Sequence, residues 1–269
     1  MKIMKVDILG VKIDDLNVAE ALLVVEKWIW NPGKHYIVTP NPEFLVAAQK
    51  DPVFKKILND ADLSIPDGRG LKLSGRIKNT FPGTDFMESL VILASEKGFV
   101  VGFLGGGDGV AKKTAECLKK KYSGLKVAFA ENGGVVNDDG NVVARRVYPE
   151  LVEGRQSTEG DPSSAFGGLR MTGGVDILFV AFGHIKQEKW IAANLKNIPV
   201  KIAMGVGGAF DYLSGSVPRA PKWIRGLGFE WLFRFFIQPW RIKRQLALLK
   251  YLWLLLLSSL PSPRLNRGS

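Results

Sequence analysis

VDILFVAFGHIKQEKW, residues 175–190, decides the fold of this chain. Its first seven residues are apolar except for Asp176 and show no in–out alternation. Such a run suits a strand buried on both faces, as in a parallel sheet, rather than a strand with one wet side. Gly183 closes the run, and a helical pattern follows from Lys186. Five other stretches have the same form: HYIVTPNPEF (35–44), ADLSIPDGRG (61–70), GFVVGFLGGGDG (98–109), LKVAFAENGG (125–134) and VKIAMGVGGAF (200–210). Helical patterns such as PEFLVAAQKDPVFKKILND (42–60) and GVAKKTAECLKKKY (109–122) alternate with them. The expected fold class is α/β: a Rossmann-like, doubly wound, mostly parallel sheet, followed by a C-terminal basic and apolar helical appendage. Ligands in such sheets sit beyond the carboxyl ends of the strands. The loops TPN, PDG, GGGDG, GHIKQ and GVGG are therefore where a site is expected.

Composition narrows the classes. A chain of 269 residues with 46% hydrophobic and 23% charged residues is globular in character, which excludes global disorder. The net charge of +11 argues for an anionic partner, whether nucleic acid, a phosphorylated substrate or an acidic membrane surface. One cysteine, Cys117, can form neither an internal disulfide nor a cysteine-rich zinc site, and a reducing, cytosolic setting is the simple reading. The N-terminal MKIMKVDILGVKIDD has no apolar stretch long enough for a signal peptide and reads as a strand followed by a turn.

Two breaks in character divide the chain. Residues 145–174 are rich in Gly, Ser and Pro without periodicity, and read as an irregular surface insertion. From about residue 217, Trp, Phe, Arg and Lys rise together. Residues 219–250 carry eight basic side chains against Glu230 alone. The expected organisation is a Rossmann-like domain over 1–216 and a membrane-docking appendage over 217–269. The run 246–260, interrupted by Lys250, is apolar on all sides and shorter than the roughly 20 residues of a span. It reads first as a shallow membrane anchor, second as a buried contact between copies in a homo-oligomer, and third as a true span.

Each candidate motif has two readings. In GFLGGGDG (102–109), Gly105 and Gly106 can bring backbone N–H groups to a phosphate at a helix start, or merely make a tight turn. The spacing is not that of a dinucleotide fingerprint, so no nicotinamide cofactor is expected. Asp67 in PDGRG (66–70) stands at a strand end, where a carboxylate can act as general base on a hydroxyl; a Pro–Asp–Gly turn alone also explains it. Thr39 and Asn41 in TPNPE (39–43) offer polar groups at another strand end, with Asn41 equally suited to cap the next helix. In GHIKQEKW (183–190), Lys186 can meet a phosphate and Gln187 a sugar or base edge. His184 reads as a loop residue, since His35 is the only other histidine. Asp14–Asp15 and Asp138–Asp139 are adjacent pairs rather than D-x-D, so nothing in the sequence points to a metal site.

Taken jointly, TPNPEFL, ADLSIPDGRG, FPGTDFM, VDILFVAFGHIKQEKWI and above all GVGGAFDYLSGSVPRAPKWIRGLGFEWLFRFFIQPWR (205–241) resemble the WecG/TagA/CpsF family of bacterial glycosyltransferases over about residues 3–245. The resemblance implies inverting, metal-independent transfer of an N-acetylmannosamine-type sugar from a UDP donor, without a cofactor. The acceptor would be N-acetylglucosamine on an undecaprenyl diphosphate lipid, at the inner face of the bacterial plasma membrane. Teichoic acid, common antigen or capsule synthesis would be the setting. Asp67 matches the family's proposed base, Thr39 a polar residue beside it, and Gln187 the glutamine of its P-K-Q-E loop. Arg234, Arg241 and Arg244 match arginines of the appendage. Arginine suits a departing diphosphate because its charged fork binds phosphate oxygens in pairs. Three departures stand out: Thr80–Phe81 replace a basic residue, Ile185 replaces the loop proline, and the segment after Val147 lacks a helix.

Other readings stay open on the sequence. They are a related transferase using UDP-N-acetylmannosaminuronic acid or UDP-glucose, and a non-catalytic nucleotide-sugar-binding membrane scaffold. A nucleic-acid partner is disfavoured because the basic residues cluster beside a Leu/Trp run, which suits lipid better than a tracked phosphate backbone.

Overall fold

A computed structural model describes residues 4–144, 174–221, 223–224, 233 and 242–259. Its centre is a six-stranded sheet built from β3 (His35–Val38), β4 (Leu63–Ser64), β5 (Val100–Gly105), β6 (Lys126–Glu131), β9 (Val175–Ala181) and β10 (Val200–Gly205). The order is β4-β3-β10-β9-β5-β6 and every pairing is parallel. Two small antiparallel hairpins stand apart: β1 (Lys5–Ile8) with β2 (Val11–Asp14), and β7 (Val135–Val136) with β8 (Val142–Ala144). The N-terminal strand expected from the sequence is therefore half of a hairpin and lies outside the main sheet.

The apolar run of β9 behaves as its composition requires. Ile177, Phe179 and Ala181 of β9 face one core layer, and Leu178 and Val180 face the other. On the first face lie α1 (Val18–Trp30), α4 (Gly83–Lys97), α5 (Val110–Lys121) and α7 (Ala209–Leu213). On the second lie α2 (Pro42–Ala48), α3 (Pro52–Asp60), α6 (Lys186–Asn194) and the C-terminal α8 (Ile242–Ser259). Each fully buried Leu or Phe side chain contributes about 1.5–3 kcal/mol of hydrophobic stabilisation. A sheet covered on both sides therefore carries most of the fold's stability.

Local chemistry sets the element ends. Asn17 and Glu20 form a reciprocal capping box at the start of α1. The single helix expected over 42–60 is two helices. Asp51 accepts from Phe54 N at 2.9 Å and Pro52 opens the new helix, so the chain turns there instead of continuing. Lys189 of α6 pairs with Asp51 at 2.9 Å and ties the two elements together.

The winding locates the crevices. β9 and β5 are neighbours, yet their following helices α6 and α5 leave to opposite faces; the same holds for β3 with α2 and β4 with α4. Such reversals open clefts at the carboxyl ends of the strands. The expected division at residues 216/217 cannot be traced, because most of 222–241 lies outside the described residues, as do residues 145–173 of the expected insertion.

Candidate active site

The β3–β4 cleft holds Thr39 and Asp67. The Asp67 amide donates to Pro40 O at 3.0 Å, which joins the two strand-end loops. Its Oδ1 accepts from Gly83 N at 3.1 Å, at the first residue of α4. The carboxylate is thereby oriented by the N-terminus of α4. Thr39 is buried against Gly83: a Cβ built on Gly83 would stand 3.2 Å from Thr39 Cγ2 and 3.5 Å from its Oγ1. Glycine here lets α4 approach closely enough to hold both side chains. Asn41 caps α2, with its Oδ1 accepting from Phe44 N at 3.0 Å, so the capping reading of that residue is realised.

The β5–β9–β10 cleft holds the glycines and the Gln187 loop. Gly105 has φ +105° and a Cβ on it would lie 2.7 Å from the Ala181 carbonyl, so no larger residue fits. The Gly106 amide donates to Ala181 O at 2.9 Å. That amide is committed to joining β5 and β9, while Gly107 and Gly109 face open space on the outer part of the loop. Gln187 is 2% exposed. Its Oε1 accepts from Gly207 N at 2.9 Å and its Nε2 donates to Glu188 Oε1 at 2.7 Å. The Gln187 side chain thus braces the loop after β10 against the start of α6.

Glu188, to which the sequence reading gave no role, is the most perturbed acid of the site. It is 1% exposed, and burial pushes its carboxyl up to about 7; the Gln187 hydrogen bond and the amides of Glu188 and Ile185 pull the other way. Oε2 makes no hydrogen bond. The loop leading to it is strained: Ile185, a β-branched residue, sits at φ +70°, two residues after Gly183 at φ +89°. An Ile there costs of order 1–3 kcal/mol and persists only when its surroundings enforce it. Here they do, since Ile185 packs on the second core layer.

Lys186 bonds to Val136 O at 3.1 Å and Asp138 at 3.1 Å on the β7–β8 hairpin. His184 packs edge-on against Phe44, with Nδ1 4.0 Å from Glu43. Arg219 pairs with Asp85 at 2.6 Å, two residues beyond the Gly83 that holds Asp67. It is the basic side chain that the described part of residues 217–241 brings to the Asp67 cleft, and only its membership in a basic cluster marked it in the sequence. Arg234 and Arg241 lie outside the described residues. Arg244 is in α8, but its side chain is not described. Among the described residues no group of three or more His, Cys, Asp or Glu could hold a metal ion.

The helix α8 roofs the Asp67 side. Tyr251 is fully buried with Leu71 and Ile77, and Leu248, Leu254 and Leu255 pack against the same cluster. Leu71 belongs to the 3-10 turn Arg69–Ser74 that follows Asp67. The outer face of α8 is bare: Leu246, Leu249, Leu252, Trp253, Leu256 and Leu257 are exposed, Leu249 by 64%. Among the described residues no helix is long and apolar enough to cross a membrane.

Residues 6–149 and 171–265 match the model of the Glycosyl transferase WecG/TagA/CpsF family. The chain is 30% identical over 231 residues to the N-acetylglucosaminyldiphosphoundecaprenol N-acetyl-beta-D-mannosaminyltransferase of Bacillus subtilis, covering 81% of this chain and 80% of that protein. It is 28% identical over 247 residues to the protein of the same name from Staphylococcus aureus, covering 89% and 87%.

Proposed function

The chain belongs to the WecG/TagA/CpsF family of glycosyltransferases, and we propose that it transfers an N-acetylmannosamine-type sugar from a UDP donor to N-acetylglucosamine on undecaprenyl diphosphate. The observation that carries this reading is the Asp67 carboxylate, oriented by the Gly83 amide beside buried Thr39 in a cleft roofed by an oily helix. In this reading Asp67 takes the proton of the acceptor hydroxyl as that oxygen attacks the anomeric carbon from the face opposite the diphosphate, with inversion. The C–O bond to UDP breaks, and the leaving diphosphate carries the charge that must be stabilised. Cationic side chains do this, with Arg234, Arg241 and Arg244 the candidates from the appendage. Gln187 and Glu188 hold the donor side in shape rather than touching the reacting atoms, since both are buried and bonded to each other. The loop at Gly107 and Gly109, where an added Cβ would meet nothing within 4 Å, leaves room for a donor phosphate.

The bare face of α8 supports docking on the membrane leaflet that carries the lipid acceptor. Exposed Leu and Trp on one side of a helix, continuous with a basic segment, suit a shallow interfacial position. The leaflet in this reading is the inner, anionic face of the plasma membrane.

The test is a donor screen on a short-chain N-acetylglucosamine-diphosphate-lipid analogue, scored by released UDP, with wild type and Asp67→Asn. UDP-N-acetylmannosamine is expected to be turned over and the variant to be inactive with an unchanged fold. Turnover by the variant at the wild-type rate removes Asp67 as base. Preference for UDP-glucose or UDP-N-acetylmannosaminuronic acid reassigns the donor.

A further inference from the structure

We infer that the membrane-docking surface has a second half, the basic turn that leaves Asp67, so that residues 69–78 meet an anionic lipid surface together with α8. This rests on the reading of α8 as membrane-docking and extends it to the loop that carries the base.

The turn has the chemistry of a lipid contact. Arg69, Lys72, Arg76 and Lys78 are all exposed, and no acidic residue occurs between Asp67 and Asp85. Leu73 stands among them, 58% exposed, as an isolated large apolar side chain on a polar loop. A leucine flanked by cations fits an anionic headgroup layer, with the cations at the phosphates and the leucine below them. The backbone is shaped for presentation: Gly68 and Gly75, both at positive φ, bracket the 3-10 turn, and Leu71 points inward while Lys72 and Leu73 point out.

The turn also abuts the helix that carries the larger apolar face. A Cβ on Gly70 would stand 2.7 Å from Pro42 and 3.5 Å from Leu248 Cδ1. Leu71 and Ile77 enclose Tyr251 with residues of α2. Turn and helix are thus one packed unit with two exposed apolar features, and the occupant that suits both oil and four positive charges is an anionic bilayer. Contact at Leu73 would act within six residues of the carboxylate, so lipid would bear directly on the placement of Asp67.

The test uses the full chain with Cys117→Ser and a single polarity-sensitive fluorophore on Leu73→Cys, Leu249→Cys or Leu23→Cys. Leu23 is exposed on α1, in the opposite helical layer. Vesicles are phosphatidylcholine with or without phosphatidylglycerol. The expected result is a blue shift at 73 and 249 with anionic vesicles, and none at 23. A shift at 249 without one at 73 overturns the inference and leaves docking through α8 standing. Silence at both overturns the docking reading as well, and an equal shift at 23 means non-specific adsorption and overturns the inference. In the unlabelled chain, Lys72→Ser should weaken binding to anionic vesicles about five-fold and leave neutral vesicles unaffected, from about 1 kcal/mol per basic residue at such a surface. Unchanged affinity for anionic vesicles counts against the turn.

Discussion

Replacing Glu188 by glutamine should make the protein less sensitive to alkali, by an amount that follows from the burial of one carboxyl. The folded-state value of about 7 lies above the ordinary 4.5. The native state therefore keeps a proton that the unfolded chain has released, and this group's contribution to stability falls as pH rises between those two values. Below about 4.5 there is no penalty; above about 7 it is fully present. At 1.36 kcal/mol per unit, the difference amounts to about 3 kcal/mol. Glutamine at 188 is nearly isosteric, keeps an acceptor for Gln187 Nε2, and cannot ionise. The assay is urea unfolding of wild type and Glu188→Gln at matched pH from about 5 to 9, read as the difference between the two. That difference should swing by about 3 kcal/mol in the variant's favour as pH rises. A flat difference would refute the reasoning, because it would mean that water reaches the carboxyl and keeps it ionised throughout.

Two further perturbations probe the same framework. Gly205→Ala places a Cβ 2.6 Å from Glu188 Oε1 and 2.7 Å from Gln187 Nε2. It should cost about 1–3 kcal/mol by overpacking and lower turnover, and wild-type values for both would show that the pair is not rigidly held. Tyr251→Ala empties the seat between α8 and the 3-10 turn. Truncating a buried aromatic costs about 3–5 kcal/mol, expected here as early proteolytic cleavage within α8 while the sheet survives; protection equal to wild type would contradict the packing.

The sequence made the sheet legible because its strands are buried on both faces, and VDILFVA is one of six short apolar runs that end in glycine or a polar loop. Strand β4 was legible as the short apolar run before PDG, although its ladder is only two residues long. The α2–α3 break was present in Asp51–Pro52 but lost inside a longer helical periodicity. At the site, Asp67 and Thr39 were legible as polar residues at strand ends. Their apposition depends on Gly83, whose packing partner is 44 residues away in sequence and leaves no local trace. Glycine composition could not reveal that the Gly106 amide serves Ala181, because strand order decides it. Glu188 looked like any helix-start acid, and its burial arises from β10 inserting beside β9. For Lys186 the sequence reading left a phosphate as one partner, whereas the side chain bonds to the β7–β8 hairpin.

The position of β10 has a consequence for how the protein is made. This last strand of the sheet sits at its centre, between β3 and β9, with Met204 opposite Ile37 and Phe179. Until Val200–Gly205 leaves the ribosome, β4–β3 and β5–β6 can each pair, but nothing joins the two halves. Synthesis at about 5–20 residues per second leaves the apolar faces of those pairs waiting for some ten seconds or more. Pairings of such long sequence separation also form slowly. The cleft that holds Gln187 includes this late strand, so a nascent chain has that cleft incomplete until the centre closes. Only afterwards does α8 emerge, with its oily outer face, onto a domain already able to hold its inner one.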